Sequence, residues 1–173
     1  MKSAPARLSA LMTMVVAVAC GTLTIMWPDW RAALQAQTYY RAGMRMTGGG
    51  SVVAGGRESH SFQLQCDVNQ GPNGLEVNWG KGNKFHLEGL TRATCSDDPA
   101  IEPNPPEAGF DTYEGAGTGR YNGVAGATAE WTFTDAGKPG SKDSAEIVIM
   151  DSTGSILAVS GMLTKGNHQA HGH

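Results

Sequence analysis

Beyond residue 37 the sequence has no sustained 3.6-residue apolar period, which excludes a helical bundle for that part of the chain. Basic charge is also scarce there. Residues 37–173 carry 10 Lys and Arg against 15 Asp and Glu, a net charge of −5, and neither sign is clustered. Without a basic stripe, no nucleic-acid partner is expected. Aromatic residues make up only 7 % of the chain, so its core has to rest on Leu, Val, Ile and Met with a few Trp and Phe. Only three cysteines are present, Cys20, Cys66 and Cys95. None has a close Cys or His partner in sequence, which argues against a cysteine metal site.

Long hydrophobic runs are absent except at the N-terminus. Lys2 and Arg7 precede an uncharged run from Leu8 to Trp27, closed by Pro28, Asp29 and Arg31. This is the pattern of an export segment. Three readings of it stand side by side. Cleavage after Leu34-Gln35-Ala36 would release a chain starting at Gln37. The Leu8–Trp27 run is close to the ~20 residues that span a bilayer, as an uncleaved anchor would. Val16-Ala17-Val18-Ala19-Cys20 loosely fits a lipoprotein signal, with Cys20 lipidated. Residues 1–36 are therefore read as signal peptide or membrane anchor, 37–46 as a short linker and 47–173 as one exported domain. The membrane enters only through the N-terminal segment. Cleavage leaves Cys66 and Cys95 as an even pair in an oxidising compartment, where a disulfide is expected. Its loop of about 30 residues would contribute about 3–4 kcal/mol.

The remainder reads as strands. Ser61–Cys66, Leu75–Trp79 and Thr128–Thr134 alternate polar and apolar residues, the signature of half-buried β-structure. Phe85–Leu90 does the same, with a register slip expected at Gly89. Glu146–Met150 and Ile156–Val159 flank Asp151–Ser155, a hairpin loop carrying Gly154. Tyr113–Tyr121 and Gly161–Lys165, the latter continuing toward the C-terminus, are two further expected strands. Short strands at this spacing indicate an all-β fold: one antiparallel β-sandwich or flattened barrel of about 7–9 strands. Residues 96–109, with Pro99, Pro103, Pro105 and Pro106, form an exposed Pro-rich loop.

Several elements taken in order carry a resemblance. They are Thr47-Gly48-Gly49-Gly50-Ser51, Ser61-Phe62, Glu114-Gly115-Ala116-Gly117-Thr118-Gly119-Arg120-Tyr121-Asn122-Gly123, Trp131-Thr132-Phe133, Asp135-Ala136-Gly137-Lys138-Pro139-Gly140-Ser141-Lys142-Asp143, and Gly166-Asn167-His168-Gln169-Ala170-His171. Together they resemble the small secreted bacterial β-domain labelled post-COAP, over nearly all of residues 47–171. The resemblance implies an exported bacterial protein. The family's function is largely unassigned, so no catalytic residue follows from it. Cys66 and Cys95 depart from the family pattern, and His168 stands where the family has an aliphatic residue.

Candidate chemistry is sparse. Asp135 and Asp143 flank a turn and could supply oxygen ligands to Ca²⁺, the one cofactor considered. Alternatively Asp135 ends a strand and hydrogen-bonds the turn backbone, while Asp143 pairs with Lys138 or Lys142. His168 and His171, with His173, could bind a transition metal; alternatively they belong to a last strand, His168 facing in and His171 out. Trp79, Tyr113, Tyr121 and Trp131 could stack against a sugar, or pack in the core. Glu114 and Glu130 could pair as the acid and base of a hydrolase, but neither lies in a motif. Ser51 lacks a nucleophile elbow, and Gly48–Gly50 is not a phosphate loop. The expectation is a non-catalytic, exported structural or adhesive module, periplasmic or extracellular, whose partner is an envelope or extracellular protein or glycan. A ligand-binding module for a glycan or Ca²⁺ is the alternative, and a secreted hydrolase comes third.

Overall fold

In a computed structural model of the chain, the residues described are 43–53, 56–103 and 105–172. Residues 1–42, on which the expected export segment, Cys20 and part of the expected linker fall, and His173 lie outside them. The described part is all-β, with nine strands: β1 Arg45–Val53, β2 Arg57–Gln65, β3 Gly74–Trp79, β4 Asn83–Ser96, β5 Thr112–Tyr121, β6 Val124–Thr134, β7 Ser144–Asp151, β8 Gly154–Met162 and β9 Lys165–His171. They form one antiparallel sheet in the order β8-β7-β6-β5-β4-β3-β2-β1-β9, curled into a half-barrel. The two separate sheets of a sandwich do not form, because each strand from β1 to β8 hydrogen-bonds to the next without a break. Only β9 returns, to pair with β1.

Most expected strands are present. The slip at Gly89 is real: the β4–β5 register shifts between Leu87 and Gly89, and again between Leu90 and Arg92. The β7–β8 hairpin turns at Ser152-Thr153, with Asp151 opposite Gly154. Several bounds differ from expectation: β2 and β6 begin four residues earlier, β4 runs on to Ser96, and two further differences bear on the topology. Gly161–Lys165 is not one strand, because Leu163 and Thr164 form the corner between β8 and β9. Their amides donate to the Asp143 carbonyl, one residue beyond the β7–β8 ladder, and to the Ser51 carbonyl of β1. The first strand starts at Arg45, two residues inside the expected linker, and buries Met46 completely.

The core lies on the concave side. Phe62, Leu64, Leu75, Val77, Phe85, Tyr113, Phe133, Ile147 and Ile149 are buried there. On β5 the inward positions 115, 117 and 119 are glycines, so neighbouring side chains lie flat over the strand. A Cβ at Gly115 would run into the Trp131 indole, and one at Gly119 into the Phe85 ring. Cys66, just after β2, and Cys95, in β4, form a disulfide with a Cα–Cα distance of 5.7 Å. The Pro-rich loop between β4 and β5 ends at Phe110, fully buried, and Asp111, whose carboxylate accepts from the Asp98 amide at 2.9 Å.

Candidate functional site

The strongest concentration of chemistry is inside the half-barrel. On β2, Glu58, His60, Phe62 and Leu64 share the inward face, two residues apart, and all are buried. Across β1, Gly48 stands opposite both Phe62 and His168 of β9. A Cβ there would collide with the Asn167 carbonyl and His168 Cα. The glycine run of β1 therefore leaves the room in which His168 packs.

His168 and His60 meet with their Nε2 atoms 2.8 Å apart. The Thr134 carbonyl lies 3.0 Å from His168 Nδ1 and can only accept, so that nitrogen carries the proton. His168 Nε2 is then an acceptor, and His60 donates to it through Nε2–H. His60 Nδ1 faces the Glu58 carboxyl oxygens at 3.0 and 3.2 Å. The result is a one-directional chain, Glu58–His60–His168–Thr134, in which every ring nitrogen has a partner. Phe62 and Phe133 wall it in, stacked 4.3 Å apart; His60 lies on Phe133 at 5.1 Å, and His168 meets Phe62 edge-on at 5.0 Å. Burial drives the His168 pKa down to about 3, the proximity of His60 pushes the same way, and the Thr134 bond opposes both. His168 is a neutral imidazole.

Asp135 and Asp143 meet the same strand from outside. The His168 amide donates to Asp143 Oδ2 at 2.8 Å and the Ala170 amide to Asp135 Oδ2 at 2.8 Å. The other two oxygens accept from the Ala136 amide at 2.8 Å and the Gly137 amide at 3.1 Å. The β6–β7 loop thus clasps the free edge of β9, and all four carboxylate oxygens hold N–H groups. Burial raises the Asp143 pKa; the bonds from the His168 and Ala136 amides oppose this, and the nearby Asp135 charge adds to it. His171 is separate: its Nε2 lies 2.8 Å from Thr47 Oγ1, and burial, then Arg45, lower its pKa against the pull of Asp135. Among the described residues no three His, Cys, Asp or Glu side chains converge as a metal site. His168 and His171 point to different partners, and the Asp oxygens are occupied.

The four aromatic residues also divide. Tyr113 is fully buried, its hydroxyl donating to the Gln65 carbonyl at 2.9 Å, and burial pushes its pKa well above the ordinary tyrosine range. Trp131 is buried over Gly115. Neither can offer a face to a sugar. Trp79 and Tyr121 remain part-exposed at the other end of the half-barrel, stacked 5.5 Å apart at 15°. Beside them a shallow groove of about 240 Å³ is lined by Arg57, Ser59, Asn78, Trp79 and Asn83. A larger groove of about 600 Å³ lies between the Pro-rich loop and the clasp, bordered by Pro106, Phe110, Asp135, Lys138, Gln169 and His171. Glu114 and Glu130 are exposed; Glu130 lies 3.9 Å from Arg92, near Glu146.

Reading the sequence missed Glu58 and His60. The signal was available: alternation through Phe62 and Leu64, continued two steps backwards, places both on the buried face. No family model, curated protein or solved structure matches the chain.

Proposed function

We propose that this protein is a non-catalytic exported module, structural or adhesive, of a bacterial cell envelope or the extracellular space. The observation that supports this reading is where its reactive groups are. Glu58, His60, His168 and Asp143 are sealed from solvent, and each is bonded to strands or loops it holds in place. The Cys66–Cys95 disulfide is consistent with an oxidising compartment. The experiment is the intact mass of the protein from membrane, soluble and medium fractions, before and after reduction, followed by melting with and without chelator. Recovery outside the cytoplasm with one reducible bond, and a melting temperature indifferent to chelator, is the expected result. A cytoplasmic, reduced protein would overturn the export reading, and a chelator-sensitive melt the structural one.

A second reading, a glycan-binding module, is favoured by one feature, the stacked Trp79–Tyr121 pair beside Arg57, Asn78 and Asn83. An indole face with amide groups around it suits a sugar's apolar face and its hydroxyls. On this reading Trp79→Ala abolishes retention on a glycan array and leaves the melting temperature within a few degrees. An array bare for the unsubstituted protein removes it.

A further inference from the structure

The two edges of this sheet are treated in opposite ways. At β9 the outward amides of His168 and Ala170 are taken by Asp143 and Asp135, and Gly140 packs against Gly166 and Asn167. That edge is closed to another strand. At the other edge, β8 has backbone hydrogen-bond partners only on β7 among the described residues, although its C-terminal end lies beside β1, where Gly161 faces Val52. Its nine residues, Gly-Ser-Ile-Leu-Ala-Val-Ser-Gly-Met, include no charge and no proline. Short length, lysine, proline, an inward charge and a β-bulge are the usual devices that keep an edge from pairing; β8 has only the bulge, at Ile156, and from Leu157 onward it has none of them. Ala158 and Ser160 are exposed at its middle, and Met162 at its end is 57 % exposed. The nearest carboxylate across the ladder, Glu146, pairs with Ser160 from the β7 side and leaves the edge itself neutral.

We infer that β8 pairs antiparallel with β8 of a second copy of this chain, joining two half-barrels into one continuous sheet. A two-fold contact sets each strand against itself. In a domain of net negative charge, a charge-free strand is the element that can meet its own copy without repulsion. Pairing near Ala158 brings Ile156, Ala158 and Ser160 of one chain beside the same small and apolar residues of the other. This inference is independent of the export reading and names the partner an adhesive role would use.

The test is sedimentation equilibrium of the exported, disulfide-bonded protein from micromolar to submillimolar concentration, against Ala158→Lys. The unsubstituted protein should dimerise, and Ala158→Lys should weaken the dimer by roughly tenfold or more, with its melt as a dilute monomer unchanged. Ser160→Lys, whose ammonium group would face Glu146 within its own chain, serves if Ala158→Lys does not fold. Val124→Lys, which removes an apolar side chain exposed to 71 % at the start of β6, outside the β8 edge, should leave association unchanged. A monomer at every concentration overturns the inference without touching the export reading. So does a dimer indifferent to lysine on β8, or one equally weakened by Val124→Lys.

Discussion

Protonating His168 would remove the lone pair that accepts from His60 and place a charge between two phenyl rings. Its folded pKa, about 3, lies below the unfolded value of 6.5. The unfolded chain therefore binds the extra proton first. This contribution to stability is fully present above pH 6.5 and is lost as pH falls through 6.5 towards 3, a loss of about 4–5 kcal/mol in all. Asp143 acts in the opposite sense: its raised pKa favours the folded state below the ordinary carboxylate value and withdraws that help as pH rises. Urea unfolding between pH 7 and 4 should show stability falling with acid. His168→Asn should be less stable at pH 7 but flatter with pH. An equal slope in both proteins would mean that another group carries the acid sensitivity. The inward place of His168 was among the readings its strand allowed. Its partners were not legible, because His60 lies 108 residues away and meets it only through the curl of the sheet.

The clasp on β9 belongs to the scale of elements. Removing the Asp143 carboxylate leaves the buried His168 amide and the half-buried Ala136 amide without acceptors. Asp143→Ala should cost about 2–4 kcal/mol, and the His168 and Ala170 amides should lose hydrogen-exchange protection before those of β2 or β6. Uniform loss of protection across the sheet would show that β9 opens only with the whole molecule. The turn between Asp135 and Asp143 was legible from its glycines and proline, and so was the backbone bond to Asp135. Asp143, expected to pair with Lys138 or Lys142, instead accepts from the Ala136 and His168 amides. That these bonds reach β9 was not legible, since an edge strand is defined by what does not pair with it. The corner at Leu163-Thr164 was missed for a related reason. Apolar residues run on from β8 without a turn signal, and the bend is held by distant carbonyls of Asp143 and Ser51.

Over the whole molecule, one covalent bond ties the β2 side of the half-barrel to the long bent strand β4. Replacing Cys66 and Cys95 by Ser should lower stability by about 3–4 kcal/mol through the freedom restored to the unfolded loop. The folded near-ultraviolet spectrum should survive; its loss would mean that the curl itself depends on the bond. The all-β class, most strands, the Gly89 slip and the cysteine pair were determined by sequence alone, because alternation, glycine placement and cysteine parity are local or countable properties. Which edges remain open, and which polar groups face each other inside, were decided only by tertiary structure. Nine amphipathic strands can be arranged in many orders, and only closure of β9 onto β1 brings Glu58, His60, His168 and Thr134 into one chain. Tyr113 and Trp131 lie in the core while Trp79 and Tyr121 are part-exposed, although all four look alike in the sequence. Burial depends on the other strands packed over a side chain, and that is settled by contacts far apart along the chain.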